Sequence, residues 1–337
     1  RLLALVPAPP VTETDPWLSV IMPTYNGERY IGAALASVAA QEDPGLEVIL
    51  VDDGSTDGTL GIARSFSDVL RLRIFEQEHG GNWVASTNRG LHAAEAEHVS
   101  FLHQDDEWLP GRSAAIRAAL RRFGPQTLVL HPVWFIDARS RRVGTWTCPL
   151  PAGAPLSKRE VAGALLVQNF VCIAGTVFPR TTALAVGGLD EDLWYTADWD
   201  FWLRLVTAVE AVVYVPIPLA SFRLHASTIT STWSSRLPEF RRQLEAVLAR
   251  HLAEWAAGGT DPRRVEQAAR FSVEVNVALA ALSHRKSIPV ARLGRALLRL
   301  GLGGWRTYLR DSRLIERVGA RLRARASGAF ADRCQHR

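Results

Sequence analysis

Short apolar segments alternate with helix-length amphipathic segments between residues 17 and 135, and this alternation limits the fold more than any other feature. Strands are expected at residues 18–22, 46–51, 72–75 and 98–102, and helices at 29–40, 59–66, 83–94 and 112–123. Strands that alternate with helices in this way build a mainly parallel sheet covered by helices on both faces. The sequence therefore predicts an α/β fold with a central, mainly parallel sheet between helices.

Polar residues cluster directly after three of these strands. Residues 23–28 follow the first strand, 52–57 the second and 103–107 the fourth. The carboxyl ends of parallel strands lie along one edge of a sheet, where such sheets bind ligands. These three loops, rich in carboxylates and amides, are therefore expected to converge on one rim.

The loop after the second strand begins with two aspartates. Asp52 and Asp53 precede Gly54, which permits a tight turn, and one of residues 55–57 suits the N-cap of the next helix. Turn formation and capping would account for some of these acids. Two adjacent aspartates exceed what a cap requires, and they suit hydrogen bonding to a base or a ribose.

The loop after the fourth strand carries His103, Asp105 and Asp106. Adjacent carboxylates near a histidine favour a hard cation such as Mg²⁺ or Mn²⁺, which prefers oxygen ligands and bridges phosphates. A bound cation would also relieve the repulsion between like charges at a strand end. The alternative is a solvated acidic loop.

Asp198 lies at or near the start of a predicted helix, where the helix dipole favours an ionised carboxylate. Asp200 and Arg204 are spaced i, i+4 and are expected to pair. Asp198 is then available as a general base or as a helix N-cap. His225 follows an apolar strand and, on its own, is more typical of a surface or sheet-edge residue.

Taken in order, these segments resemble glycosyltransferase family 2. Seven segments carry the resemblance, and they span about two thirds of the chain: 20–26, 48–57, 82–94, 101–110, 187–191, 198–205 and 223–227. The resemblance implies a GT-A nucleotide-binding fold and an enzyme of the hexosyltransferase class that uses a nucleotide-diphosphate sugar. UDP- or dTDP-sugars are favoured, because an aspartate that bonds the base suits a pyrimidine.

The resemblance also implies roles for individual residues. The nucleotide pocket would be lined by Pro23, Tyr25, Glu28, Asp52, Asp53 and Asp105. The ligands of Mn²⁺ or Mg²⁺ would be Asp105, Asp106 and His225, and Asp198 would be the catalytic base. The acceptor would be a carbohydrate or a lipid-linked molecule in cell-surface polysaccharide or glycolipid synthesis.

The implied reaction is a single displacement in which Asp198 deprotonates the acceptor hydroxyl and the metal stabilises the leaving diphosphate. Around the base, Trp194, Trp199 and Trp202 are either platforms for sugar rings or core residues.

Three positions depart from the family's pattern. His103 stands in place of the first acid of the metal-binding motif, Ala197 in place of the glutamate before the base, and Thr87 where a basic residue is usual. The change at His103 leaves Asp105 and Asp106 to hold the metal. A catalytically impaired sugar-nucleotide-binding scaffold therefore stays open as an alternative. Because the sequence does not reveal the acceptor, an enzyme that glycosylates a secondary metabolite stays open as well.

Charge and pattern divide the chain into an N-terminal extension (1–16), a GT-A catalytic domain (17–235) and a basic helical region (236–337). The last region holds 21 Lys and Arg against 9 Asp and Glu, whereas the rest holds 18 against 25. Gly-Gly pairs at 258–259 and 303–304 predict breaks between its helices.

In this basic region, Leu293, Leu297 and Leu300 form an apolar stripe, with arginines on the other faces. A basic amphipathic helix fits a membrane surface, and packing on the catalytic domain or on a second copy in a homo-oligomer is the alternative. The basic region has few aromatic residues that could stack on bases, which argues against nucleic acid as a partner.

The three cysteines, Cys148, Cys172 and Cys334, are odd in number and far apart, which argues against a disulfide framework or a zinc site. No apolar run reaches the roughly 18 residues of a transmembrane helix. We therefore expect a cytoplasmic protein, either free or peripheral on the inner face of the membrane.

Overall fold

The architecture is a layered α/β fold, given by a computed structural model that describes residues 15–225, 235–258 and 262–326. Most of the predicted N-terminal extension lies outside these described residues, as does Cys334. The described strands are β1 (Leu18–Thr24), β2 (Leu46–Asp52), β3 (Arg71–Glu76), β4 (His98–Phe101), β5 (Glu107–Trp108), β6 (Thr127–Leu130), β7 (Val133–Ile136), β8 (Arg142–Trp146), β9 (Thr176–Pro179), β10 (Ala211–Tyr214) and β11 (Ala220–Arg223).

Helices flank these strands and continue beyond them. The described α-helices are α1 (Ile31–Ala39), α2 (Thr59–Arg64), α3 (Trp83–Ala93), α4 (Arg112–Phe123), α5 (Lys158–Val167), α6 (Arg180–Ala185), α7 (Ala197–Ala208), α8 (Leu237–Ala257), α9 (Pro262–Ser283), α10 (Val290–Ser312) and α11 (Leu314–Ala326). A short 3-10 helix covers Ile173–Gly175.

The central sheet has seven strands in the order β10-β6-β9-β4-β1-β2-β3. Every residue of β1 and β2 is buried, because helices cover both faces of a parallel sheet and its central strands must be apolar throughout. β1 pairs in parallel with β2 and β4, whereas β9 is antiparallel to both β4 and β6. The prediction of a mainly parallel central sheet is confirmed.

A second sheet of four strands, in the order β5-β11-β7-β8, stands beside the first. Its strand β11 runs antiparallel to β5 and parallel to β7. Because β5 follows the loop after β4, this pairing brings the end of β11 next to residues 103–107. The smaller sheet thus positions part of the candidate site.

The C-terminal helices pack onto the sheet-bearing part of the chain. Leu244 of α8 and Val273 of α9 belong to the same apolar cluster as Leu165 of α5 and Phe201 of α7. The boundary at residue 235 stays a prediction. None of the described helices combines the length and the apolar character needed to cross a membrane.

The predicted break at residues 303–304 is wrong. Both glycines lie inside α10, and Gly304 is buried where a side chain would collide with Leu300. The helix is interrupted instead at Gly301 (φ 59°), and it ends at Arg313 (φ 48°). Gly304 is therefore needed for close packing, and Gly301 for its left-handed backbone.

Candidate active site

The loops after β1, β2 and β4 meet at one rim of the central sheet, as predicted. Gln104 joins the first loop to the third, since its Oε1 accepts from the backbone N–H of Tyr25 and its Nε2 donates to the Tyr25 carbonyl, each at 3.0 Å. Asn26 joins the first loop to the second, because its N–H donates to Ser55 Oγ at 2.9 Å. Gly27 is required here, as a Cβ would lie 2.2 Å from Gln104 Oε1.

Asp53 holds a glycine loop against the end of β2. Its carboxylate accepts hydrogen bonds from Gln77 Nε2 (2.8 Å) and from the backbone N–H groups of Gly80 (2.9 Å) and Gly81 (2.8 Å). Burial opposes ionisation, but these hydrogen bonds outweigh it and lower the pKa of Asp53. Asp53 therefore carries a negative charge at the rim.

An aromatic pair lies beside Asp53. The rings of Tyr25 and His79 are stacked, with centroids 4.0 Å apart and planes 16° from parallel. Tyr25 is 40% exposed, and His79 Nδ1 lies 2.9 Å from Asp53 Oδ2. This arrangement offers a flat aromatic surface next to a carboxylate acceptor, which suits a planar ligand such as a base.

Two carboxylates predicted to line the nucleotide pocket have local structural partners. Asp52 is buried and accepts from the N–H (2.8 Å) and Oγ (2.5 Å) of Ser55, and Glu28 Oε2 accepts from the N–H of Gly58 at 2.8 Å. Pro23 is buried within β1. These residues hold the shape of the rim, and the structure gives Asp52 the turn-forming role that the sequence left open.

His103, Asp105 and Asp106 place one ligand atom each within 4.8 Å of one another. His225 joins them, because its Nε2 lies 2.8 Å from Asp105 Oδ2. Among the described residues, neither His103 Nε2 nor Asp106 Oδ2 has a hydrogen-bond partner, although both atoms are buried. Buried ligand atoms without a hydrogen-bond partner, on residues this close together, are what a cation would satisfy.

The electrostatics of this cluster also fit a divalent cation. Burial, and then the charge of Asp105, raise the pKa of Asp106 well above its ordinary value. Burial lowers the pKa of His103 and leaves the imidazole neutral, as a metal ligand must be. The residues present thus fit Mn²⁺ or Mg²⁺, with His103 as a nitrogen ligand in place of an acid.

Arg223 organises the cluster and was not singled out from the sequence. It is buried at the end of β11, where its N–H donates to Asp106 Oδ1 (3.0 Å) and its Nε to the Asp105 carbonyl (2.8 Å). Its guanidinium also forms an ion pair with Glu107. A buried arginine bonded to three successive acidic residues fixes the loop, and no local pattern around Arg223 reveals such partners.

Asp198 is the second residue of α7, whose N-cap is Thr196, so the alternative role of Asp198 as N-cap is excluded. Its Oδ2 accepts from Asn169 Nδ2 at 2.9 Å and its Oδ1 from the Trp199 N–H at 2.8 Å. Burial is the largest influence and raises the pKa of Asp198 to about 6. A carboxylate with this pKa is suited to accept a proton near neutral pH.

The side chain of Trp83 connects the cation cluster to the segment that precedes α7. Its ring centroid lies 5.3 Å from that of His103, and its Nε1 donates to the Trp194 carbonyl at 2.7 Å. Asp198 follows four residues after Trp194, at the start of α7.

One of the predicted sugar platforms is a core residue. Trp202 is fully buried, and its ring packs against Phe101 and Phe178 at centroid distances of 6.3 and 5.8 Å. Trp199 is also buried and donates to the Leu165 carbonyl, yet it lines the cavity beside Asp198. The platform interpretation is therefore wrong for Trp202.

A cavity of about 140 Å³ opens beside Asp198. The C-terminal helices supply one wall of it, because Asn276 of α9 and Arg317 of α11 both donate to Gln168 Oε1, at 3.1 and 2.6 Å. Aromatic rings, with Trp146 and Trp199 among them, supply other parts of the lining. Aromatic surfaces combined with amide and guanidinium groups suit a ligand that has both apolar faces and hydroxyls.

Asn88 fixes the segment that leads to α7. Its Nδ2 donates to the Leu189 carbonyl and its Oδ1 accepts from the Leu189 N–H, each at 2.9 Å. Gly188 lies directly against it with φ 66°, and a Cβ there would lie 2.7 Å from Asn88 Oδ1. This contact explains why glycine is needed at position 188, next to α3.

Comparison with known proteins gives sequence relatives over most of this region. The sequence profile of glycosyl transferase family 2 matches residues 19–160. An uncharacterised glycosyltransferase of Rickettsia typhi is 27% identical over 227 residues, which are 67% of this chain and 70% of that protein. TuaG of Bacillus subtilis, named as a teichuronic acid biosynthesis glycosyltransferase, is 36% identical over 99 residues, which are 29% of this chain and 39% of TuaG.

Solved structures are similar over nearly the whole chain. TarS 1–349 of S. aureus in complex with UDP-GlcNAc has a TM-score of 0.61 and 17% identity, and the match covers 93% of this chain and 89% of that one. The mannosyltransferase PcManGT of Pyrobaculum calidifontis, in complex with GDP-Man and Mn²⁺, has a TM-score of 0.52 and 18% identity, with 95% and 90% covered. At these identities the likeness shows the fold.

Proposed function

The chain belongs to glycosyltransferase family 2 and is a transferase of the GT-A fold, and we propose that it moves a sugar from a nucleotide-diphosphate donor to an acceptor hydroxyl with inversion at the anomeric carbon. One observation supports this above all others. A half-buried carboxylate with a pKa of about 6, Asp198, stands at the start of α7, and Trp83 contacts both the segment before this helix and His103 of the cation cluster.

The donor nucleotide would bind at the rim formed by Tyr25, His79 and Asp53. The exposed aromatic pair offers a stacking surface for the base, and the Asp53 carboxylate offers an acceptor for an N–H of the base edge. An acceptor at this position favours uracil or thymine, so we propose a UDP- or dTDP-sugar. The structures of TarS with UDP-GlcNAc and of PcManGT with GDP-Man support a nucleotide-sugar donor in general.

The metal ligands in this proposal are Asp105, Asp106 and His225, with His103 in place of the missing acid. A bound Mn²⁺ or Mg²⁺ ion supplies positive charge to the leaving diphosphate. The chain's own contribution is rigidity, because Arg223 holds the side chain of Asp106 and the backbone of Asp105 before any ligand arrives. Ligands held in place need no reorganisation during the reaction.

Asp198 would act as the general base. The hydroxyl proton of the acceptor passes to a carboxylate oxygen of Asp198 while the acceptor oxygen forms its bond to the anomeric carbon. The bond from that carbon to the diphosphate oxygen breaks with its electron pair, and attack from the opposite face inverts the configuration. Asn169 holds the carboxylate in place through its hydrogen bond to Oδ2.

The acceptor would enter the cavity beside Asp198. Its mixture of aromatic and hydrogen-bonding groups supports a carbohydrate or another polyhydroxylated acceptor. The name of TuaG and the identity of the sugar nucleotide in the TarS complex support a role in cell-surface polysaccharide or glycolipid synthesis.

Donor binding is the first test. Thermal unfolding would be measured with UDP, dTDP, GDP and their sugars, each with and without Mn²⁺, since a ligand at 100 times its Kd stabilises a fold by about 2.7 kcal/mol. We expect one nucleotide to stabilise the protein in a metal-dependent way. Asp105→Ala should abolish this effect, whereas Asp68→Ala, at an exposed position outside the site, should keep it.

Turnover is the second test, with release of the nucleotide diphosphate as the readout. Wild-type turnover that is lost in Asp198→Asn would support the transferase. Donor binding without any turnover by the wild type would favour the catalytically impaired scaffold. Absence of binding by every nucleotide would contradict both functions.

A further inference from the structure

Helix α10 exposes large apolar side chains to solvent along much of its length. Leu298 is 86% exposed, Leu302 87%, Leu309 57% and Trp305 36%. Single exposed apolar residues are ordinary on a protein surface, but several within three turns form a patch that favours an interaction. We call these four residues the leucine face.

The opposite side of α10 already holds the helix in place. Leu300 and Tyr308 are buried in one cluster with Ala268 and Phe271 of α9. Of the apolar stripe expected from the sequence, Leu300 is buried in this cluster and Leu293 packs against it, which is the packing alternative. The three leucines of the leucine face form a second, exposed apolar surface, and Trp305 stands at its border, where its ring also packs against Phe271 at a centroid distance of 5.5 Å.

The charges next to the leucine face are positive. Arg292, Arg295, Arg299 and Arg306 are exposed, and none of them takes part in the ion pairs recorded among the described residues. The only acid of α10, Asp311, is buried and paired with Arg310. Exposed leucines, an interfacial tryptophan and unneutralised arginines on one helix are the pattern of a helix that lies in a bilayer interface.

The charge of α10 favours a bilayer over a second copy of the chain as the partner of the leucine face. A two-fold dimer through the leucine face would bring the arginines of both copies together without acids of α10 to neutralise them. An anionic bilayer offers phosphate groups to the arginines and an apolar boundary to the leucines. Apolar residues are exposed on both sides of the kink at Gly301, Leu298 before it and Leu302 after it.

We propose that α10 docks the protein on an anionic lipid bilayer, with the leucine face at the boundary between headgroups and acyl chains. This inference goes beyond the proposed function and does not depend on it. If both hold, docking would bring the acceptor cavity near the lipid, because α9 and α11, the neighbours of α10, carry Asn276 and Arg317 of its wall.

The test is vesicle flotation of the full chain. Vesicles of phosphatidylcholine alone would be compared with an equimolar mixture of phosphatidylcholine and phosphatidylglycerol, at low and at high salt. We expect binding to the mixed vesicles only, weakened by salt. Leu298→Glu with Leu302→Glu should reduce binding by at least about tenfold, and Arg295→Gln and Arg299→Gln by roughly fivefold each.

A matched control separates the leucine face from apolar exposure in general. Ile217→Glu changes another apolar side chain, 51% exposed and outside the C-terminal helices, and it should bind vesicles like the wild type. Thermal unfolding checks that each variant folds, and at exposed positions we expect it to be unchanged. Donor binding in solution would be measured on the same variants. A variant that loses vesicle binding and keeps donor binding tests membrane docking independently of the proposed function.

Two results would overturn the proposal. One is a wild-type protein that ignores the mixed vesicles, or that binds them equally well after both leucine substitutions. The other is a dimer in sedimentation that Leu298→Glu converts to monomer without any vesicle binding, which would assign the leucine face to a second copy.

Discussion

At the residue scale, Asp198 should set the lower limit of the pH range for activity. Burial raises its pKa to about 6, and a general base must be ionised to accept a proton. We expect kcat/KM to fall about tenfold per pH unit below pH 6 and to be flat above it. Measurement of kcat/KM across this range, with donor binding followed at each pH, checks the prediction; a profile without an inflection between pH 5 and 7 would count against Asp198 as the base.

Replacement of Asp198 by Asn should separate activity from stability. The folded protein keeps the Asp198 proton up to about pH 6, whereas an unfolded Asp releases it near 3.8, so the free energy of unfolding falls as pH rises between these values. Asp198→Asn removes this cost, which is at most about 3 kcal/mol at neutral pH.

We therefore expect a higher Tm at pH 7, a smaller difference at pH 4, and transfer reduced by at least about 100-fold. Unfolding curves at the two pH values test the first two effects. A variant that is less stable at pH 7 would show that Asn169 needs the charged carboxylate more than burial opposes it.

The sequence placed the charged candidate residues in the fold better than the uncharged residues that hold them, while the roles of the charged residues stay predictions. Asp105 follows β4, Asp198 opens α7 and His225 follows β11, as the order of the motifs indicated. Gln104 and Asn169 were missed, although each bonds a site residue directly. A single Gln or Asn forms no recognisable motif in the sequence. Its role becomes visible only when the fold shows which backbone group or carboxylate its amide contacts.

At the element scale, Asp200 joins α7 to the C-terminal helices. Its carboxylate accepts from Arg204 Nε at 2.8 Å, and from Arg250 Nη1 (2.9 Å) and His251 Nε2 (2.8 Å) of α8. Burial opposes ionisation, yet these partners lower the pKa of Asp200 to about 2. The Asp200–Arg204 pair was predicted from i, i+4 spacing, but the partners on α8 are about 50 residues away and no local pattern indicates them.

Asp200→Asn should therefore destabilise the protein at neutral pH by about 3 kcal/mol, because it removes the buried negative charge that pairs with both Arg204 and Arg250. The contribution of Asp200 is full above pH 3.8 and is lost as pH falls towards 2, so the difference from wild type should shrink in acid. Urea unfolding at pH 7 measures the effect, with Asp192→Asn, an exposed change in the loop before α7, as the control. Equal stability of the two variants would show that Asp200 does not fasten α7 to α8.

Helix boundaries were predictable where glycine ends a helix and not where it lies within one. The breaks expected near residues 258 and 303 rest on the same Gly-Gly signal. Gly258 ends α8, whereas Gly303 and Gly304 lie inside α10 against α9. Tertiary packing decides whether a glycine ends a helix or lies within it, and a local sequence pattern does not reveal that packing.

At the scale of the whole molecule, the C-terminal helices complete the cavity that contains the proposed base. They lie beyond residue 160, where the match to the family profile ends. Arg317 reaches from α11 to Gln168 Oε1 (2.6 Å) and to Asn276 Oδ1 (2.7 Å), so that three separate parts of the chain meet at one wall. If this wall binds the acceptor, a substitution in the wall should lower kcat/KM for the acceptor and leave donor binding unchanged.

Arg317→Met tests this division of labour, because it keeps a long side chain and removes the charged hydrogen bonds. We expect kcat/KM for the acceptor to fall about 10- to 100-fold, the effect of roughly 1.5–3 kcal/mol for hydrogen bonds to a charged group. Donor binding and donor hydrolysis by water should stay within twofold of wild type, because the nucleotide rim lies on other loops. Arg270→Met is the matched control, since Arg270 lies on an exposed face of α9 and pairs only with Glu266 among the described residues. If Arg317→Met instead weakened donor binding as much as transfer, the C-terminal wall would serve the catalytic fold as a whole and not the acceptor.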